Sequence, residues 1–153
     1  MRPALTLSVV IVILDQASKA WLIGWVQDQG GWQQITGFFN LVMVWNRGIS
    51  FGMLQSGDTG RWLLVLFSSL VCLGLGFWLR RQSRRWPSYA LGAVIGGALG
   101  NIIDRVWRGA VADFFDFHLL GYHWPAFNIA DSAITIGVIL LILDSLKSKP
   151  ENT

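Results

Sequence analysis

Apolar residues gather in four long runs, at about 4–26, 62–79, 89–106 and 128–146, separated by two stretches that are polar and rich in aromatic side chains. Each run is close to the ~20 residues that a helix rising ~1.5 Å per residue needs to cross a hydrocarbon core. The pattern predicts a membrane all-α fold, one domain over 1–153 with four transmembrane helices joined by two long non-spanning stretches and a short basic connection. The first run is broken by Asp15, Gln16, Ser18 and Lys19. A cleaved secretory signal would need small residues where Asp15 and Lys19 stand, so a retained span is the better reading. Asp15 and Lys19 are four apart, share a helix face and can pair, either as a structural ion pair or as part of a site.

Between the first two spans, Phe38 to Trp45 is rich in β-formers. Strict alternation puts Phe39, Leu41, Met43 and Trp45 on one side and Phe38, Asn40, Val42 and Val44 on the other, which predicts one or two short strands at the membrane surface. Asn46-Arg47-Gly48-Ile49-Ser50-Phe51 follows, a turn with a glycine where the backbone bends or approaches something closely. The third run carries Gly92, Gly96 and Gly100 at every fourth position with Gly97 beside them, a stripe on which another helix can pack closely. At its end Asn101, Asp104 and Arg105 share a face. The stretch from Trp107 to Pro125 reads as a second non-spanning loop containing Asp113, Asp116, His118 and His123. Pro125 and Asn128 open the last run, where Asn128 can cap the helix while Asp131 points inward.

Composition agrees with lipid as the solvent: 53% of residues are hydrophobic, 14% are charged, and mean hydropathy is +0.48. A net charge of +3 raises the question of nucleic acid. The basic residues sit beside apolar runs, at Arg2, Arg80 to Arg85 and Lys147 to Lys149, so topology explains them and no nucleic-acid partner is expected. Those clusters place both termini and the second connection in the cytoplasm, and the two long loops outside. Asn46, Asp104, Asp113 and Asp131 then fall near one membrane face. The lone Cys72 excludes an internal disulfide and any cysteine-based metal site, and its place in an apolar run predicts a buried, inert thiol. No His-Glu-x-x-His spacing exists and the sole glutamate is Glu151, so no metal is expected and Asp116 and the histidines are placed in water at the interface.

Val111-Ala112-Asp113-Phe114 and Phe127-Asn128-Ile129-Ala130-Asp131 each set one aspartate among aromatic and aliphatic residues. An isolated ionised carboxylate there is costly, whereas two that converge can share one proton and serve as general acid and base. Two other classes compete on the residues alone. A proton-conducting transporter would use Asp15, Asp104 and Asp131 as a relay, and a structural protein would use its polar residues as helix glue.

Five blocks taken in order carry a resemblance: Asp15-Gln16-Ala17-Ser18-Lys19, the Asn46 to Phe51 segment, Gly96-Gly97-Ala98-Leu99-Gly100-Asn101-Ile102-Ile103-Asp104-Arg105, and the two aspartate motifs. Together the chain resembles the bacterial lipoprotein signal peptidases (signal peptidase II). The resemblance implies a membrane all-α aspartic peptidase of the inner membrane, four transmembrane helices with a small extracytoplasmic β-sheet and loop, with termini in the cytoplasm and the site toward the periplasm. It implies removal of signal peptides from prolipoproteins already carrying diacylglycerol, cut just before the lipidated cysteine. Asp113 and Asp131 match the family's catalytic positions. Asn46, Gly48, Asn101, Asp104, Arg105, Asn128, Ala130, Asp15 and Lys19 match positions that shape the site, bind substrate or support it. Membrane lipids and a globomycin-type cyclic peptide inhibitor are the other implied partners, with no cofactor and no metal, for a chain expected to act as a monomer.

Overall fold

The computed structural model describes residues 1–48 and 57–147. Ile49, Ser50 and Phe51 of the Asn46 block, and Lys149 of the C-terminal basic cluster, lie outside the described residues. Four long helices, α1 (Arg2–Asp28), α2 (Gly57–Arg81), α3 (Arg85–Trp107) and α4 (Ile129–Lys147), carry a sheet of four strands at one end. The strands are β1 (Trp32–Gln34), β2 (Phe39–Asn46), β3 (Val111–Leu119) and β4 (Tyr122–His123), ordered β1-β2-β3-β4 with every pairing antiparallel.

Three helices, α1, α2 from Asp58 and α4, are long and apolar enough to cross a membrane. Only 11% of the most apolar stretch of α2 is buried within the protein, and Phe67, Leu70, Leu73 and Phe77 stand outward, as lipid-facing side chains do. The expected fourth span is α3, which is not among the three. It is instead the buried centre of the bundle, with Ala90 through Gly97 almost wholly covered. Its glycines make this possible. A Cβ on Gly92 would lie 2.5 Å from the Ala4 carbonyl oxygen, and one on Gly96 would lie 2.8 Å from the Ser8 carbonyl oxygen, so this stripe seats α1. Gly97 meets the Ala130 carbonyl in the same way and seats α4, while the Ser8 hydroxyl donates to the Gly92 carbonyl oxygen at 2.7 Å. Cys72 is half-buried on α2 rather than enclosed.

The region from Trp107 to Pro125, expected as a loop, is mostly the β3–β4 hairpin. β3 escapes an alternation reading because Val111 through Phe114 are buried on both faces and read as a continuous apolar run broken only by Asp113. Asp116 is buried too, not solvated: Asn40 donates to it at 2.7 Å and His123 Nδ1 lies 2.9 Å away. Burial alone would raise its pKa, but these hydrogen bonds and the nearby His123 and His118 hold it below the ordinary carboxylate value. Leu22 and Val26 of α1 pack with Phe114, flanked by Leu41, Met43 and Ile129, and so join the sheet to the bundle.

Gly97→Val should destabilise the protein by at least about 3 kcal/mol, because the new side chain meets backbone rather than a movable group. Gly74→Val, where a Cβ meets nothing within 4 Å, is the control. Thermal unfolding in detergent reads both, and equal midpoints would refute the close approach.

Candidate active site

Three chain ends meet where the sheet joins the helices. β2 brings Asn46, β3 brings Asp113, and the N-terminus of α4 brings Asn128 and Asp131. The register of β2 decides what Asn46 faces. Leu41 pairs with Phe115 but Val44 pairs with Asp113, so β2 holds one more residue than its partner across this interval. Such a bulge reverses the parity of everything after it. Asn46 therefore joins the face of Phe39 and Leu41, and Trp45 moves to the other face, against the strict alternation expected. Asn46 Nδ2 donates to Asp113 Oδ2 at 3.0 Å, and its Oδ1 accepts from the Gly48 amide at 3.2 Å.

Asp131 is placed by a reciprocal cap. Asn128 Oδ1 accepts from the Asp131 amide at 2.9 Å, while Asp131 Oδ2 accepts from the Asn128 amide at 3.3 Å. This is the capping-box arrangement, with the acid three residues inside the helix. Phe127 pairs with Phe115 as an isolated bridge, its amide donating to the Phe115 carbonyl at 3.1 Å, and so delivers Asn128 beside β3. Asn128 Nδ2 then donates to Asp113 Oδ1 at 2.7 Å, and Asn101 Nδ2 donates to Asp131 Oδ1 at 2.8 Å. Both oxygens of each carboxylate thus accept a hydrogen bond.

Asp113 is 2% exposed. Burial first, and then the negative charge of Asp131, push its pKa up to about 7, against the pull of the Asn46 and Asn128 amides. Both aspartates line a cleft of about 700 Å³ with Asn46, Trp124, Phe127, Ile134 and Ile136. Arg105 stands close enough to feel the charges of Asp131 and Asp113. Its Nη1 donates to the Asn101 carbonyl at 3.4 Å, and its Nε is buried without a partner among the described residues.

Behind this cleft lies a fully buried charged network. Lys19 Nζ sits 2.8 Å from Asp15 Oδ2, 2.7 Å from Asp104 Oδ2 and 3.3 Å from Asn101 Oδ1. Asp15 Oδ1 accepts from the amide of Ala130 at 3.0 Å, and Asp104 Oδ2 accepts from the amide of Ala112 at 3.3 Å. Those two residues immediately precede Asp131 and Asp113. Gly100 leaves room for the arrangement, since a Cβ there would stand 2.6 Å from Asp15 Oδ2. Gln16 and Arg108, which the motifs did not mark as site residues, complete it. Gln16 Nε2 donates to Asp15 and Asp104 at 3.1 Å each, and Arg108 Nη1 donates to Asp104 and to Gln16 Oε1. The four-residue spacing from Asp104 to Arg108 is the signal that points to this pairing. Among the described residues no group of three or more His, Cys, Asp or Glu is arranged to hold a metal ion.

A family model described as signal peptidase (SPase) II matches residues 7–147. The chain belongs to the signal peptidase II family. A lipoprotein signal peptidase from Caulobacter vibrioides is 46% identical, over 95% of this chain and 88% of its own length. One from Methylobacterium radiotolerans is 49% identical, over 95% of this chain and 86% of its own. A solved bacterial membrane enzyme, determined by the in meso method at 1.9 Å resolution, superposes with a TM-score of 0.83 at 33% identity, covering 97% of this chain and 96% of the other. Membership makes the chain a protease of a bacterial membrane.

Lys19→Met leaves Asp15 and Asp104 buried together without their shared cation, and should cost about 3–5 kcal/mol in equilibrium unfolding. The fold should also weaken as pH rises. Asp113 binds its proton more tightly in the native state than its ordinary value of 3.8 allows. Its contribution is therefore complete below about pH 4 and lost as pH climbs through about 7. Asp113→Asn should flatten that part of a plot of unfolding midpoint against pH, and an unchanged slope would contradict the raised pKa.

Proposed function

We propose that the protein is an aspartic endopeptidase that removes signal peptides from diacylglyceryl-modified prolipoproteins, cutting before the lipidated cysteine, with Asp113 and Asp131 as its catalytic pair. The observation that carries this reading is one cleft lined by both carboxylates, whose wall continues along α4 through Ile134 and Ile136. Exposed apolar side chains farther along the same helix make an outer surface suited to lipid. A substrate held there keeps its acyl chains in the bilayer while its backbone reaches the acids.

In the proposed reaction the pair shares one proton. With Asp113 written as the protonated member, Asp131 takes a proton from water as that water attacks the scissile carbonyl; because the two titrate as one pair, the roles can equally be exchanged. Asp113 donates to the carbonyl oxygen as the tetrahedral intermediate forms. In the second half the proton gained by Asp131 passes to the departing nitrogen as the C–N bond breaks, while Asp113 takes a proton back from a hydroxyl of the tetrahedral intermediate, which returns the pair to its starting state. Asn46, Asn101 and Asn128 hold the carboxyl groups in register, and the guanidinium of Arg105, near enough to feel both carboxylates, supplies positive charge beside the substrate backbone and the oxyanion. No metal or cofactor enters the scheme.

The proposed topology has α3 as the fourth span and both termini in the cytoplasm, with Arg80, Arg81, Arg84 and Arg85 at the cytoplasmic end and the sheet on the periplasmic side. Arg84 clasps Asp144 at that end, through contacts of 2.6 and 2.7 Å. Globomycin-type peptides should compete for the same cleft, and the chain is proposed to act as a monomer.

Asp113→Asn and Asp131→Asn should each lower cleavage of a purified diacylated lipobox substrate about a thousandfold, with insertion unchanged. Retention of activity by either variant would reject the pair. Activity should survive chelation by EDTA, and loss restored by zinc would overturn the metal-free scheme.

A further inference from the structure

The strongest feature outside the cleft lies on the other face of the sheet. A cavity of about 620 Å³ opens between the end of β2, the start of α2 and the end of α3, lined by Trp45, Arg47, Asp58, Arg61, Arg108 and Gly109. It shares no lining residue with the cleft of the two aspartates, and the β2 bulge is what turns Trp45 toward it and Asn46 away. Three guanidinium groups face one carboxylate, and that carboxylate, on Asp58, is 86% exposed and reaches Arg61 only at 3.3 Å.

The guanidinium groups are incompletely used. Arg61 Nε is buried and has no acceptor among the described residues. Arg61 is also held in place, with its Cζ 4.9 Å from the Trp62 ring centre and its Nη1 against Gly109, where a Cβ would stand 3.2 Å away. Gly109 adopts φ +81°, a conformation that admits this approach at low cost. Arg108 commits Nη1 to Asp104 and Gln16. Arg47 is exposed at the rim. Planar forks of this kind match the oxygens of a phosphate, which an ammonium or an amide matches less well.

The surroundings identify where such a phosphate comes from. Trp62, Leu63, Leu66 and Phe67 follow Arg61 directly on α2, a helix long and apolar enough to cross a membrane, and all four are exposed. Indole rings beside an Arg cluster at the mouth of an apolar helix mark the headgroup level of a bilayer. We propose that this cavity binds the phosphodiester of a membrane phospholipid, with Arg61, Arg47 and Arg108 around the phosphate and the acyl chains laid along the outer surface of α2. A lipid seated here would brace the start of α2 against the loop that leads from α3 into Asp113.

The test reads binding, not cleavage, and so stands apart from the fate of the catalytic pair. Wild-type protein, Arg61→Gln and Arg47→Gln are purified in a neutral detergent and titrated with short-chain phosphatidylglycerol, the matching diacylglycerol lacking phosphate, and inorganic phosphate. Retained lipid is counted by native mass spectrometry and unfolding midpoints are recorded alongside. Wild type should bind phosphatidylglycerol and gain thermal stability, and each variant should bind about tenfold more weakly. Diacylglycerol should not bind at this site, and millimolar phosphate should compete only weakly. Equal binding by wild type and Arg47→Gln would overturn the proposal, since exposed Arg47 tolerates glutamine whether or not Arg61→Gln folds. Equal binding of diacylglycerol would also overturn it, and tight binding of free phosphate would replace a lipid site with a site for a soluble anion.

Discussion

One ammonium group organises the region where sheet and helices meet. Lys19 lies on α1, yet its partners Asp15 and Asp104 each receive a backbone amide from the residue just before a candidate catalytic acid. Bringing three charges together without water is expensive, and only short contacts with every lone pair satisfied make it tolerable. Here the carboxylate oxygens collect amide, guanidinium and ammonium donors from α1, α4, β3 and Arg108, just past the end of α3. The network thus does for polar groups what the glycine stripe does for backbones. It fixes α1, α3 and α4 in one relative placement where apolar packing alone distinguishes poorly between a helix neighbour and lipid.

A consequence is that Asp113 and Asp131 are positioned twice. From behind, the Lys19 network holds their chain neighbours. From the side, Asn46, Asn101 and Asn128 grip the carboxylates themselves. Asn128 links the two systems, because its side chain caps α4, reaches Asp113 and touches Asn101 Oδ1 at 3.3 Å. Neutral amides are suited to this duty. They orient an acid without adding a charge of their own, and although their hydrogen bonds pull the Asp113 pKa down, burial and the charge of Asp131 outweigh them. Arg105 acts on the two carboxylates through its charge, while its Nη1 is held by the Asn101 carbonyl and its Nε is buried without an acceptor among the described residues.

Much of this architecture is legible in the sequence alone. Apolar run lengths locate the four long helices to within a few residues, three of them long and apolar enough to cross a membrane. The i, i+4 spacing of Asp15 and Lys19 announces their pairing, and the Asn128 to Asp131 interval announces the cap. What stays hidden depends on contacts between distant segments. The β2 bulge has no local signature among Leu41, Val42, Met43 and Val44, all apolar, and its position is set by what β3 offers opposite. Asp116 reads as a solvated residue because its partners, Asn40 and His123, are supplied by other strands. The β3 strand hides for a further reason: a strand covered on both faces loses the alternation that advertises strands elsewhere.

The bulge is also where the sheet's two faces acquire different chemistry. Without the extra residue, Asn46 would point with Asn40 and Asp116, and Trp45 with Leu41 into the aromatic layer of Phe39, Phe115 and Phe117. With it, the amide reaches Asp113 on one face while the indole borders the arginine-lined cavity on the other. A regular β2 of the same composition would keep the hydrophobic contacts of its first half and lose both features of its second. The selectivity of this sheet for its two environments therefore rests on register rather than on residue type. In physical terms, one residue of slack in a strand is what lets a single short segment face an apolar core at one end and a buried carboxyl group at the other.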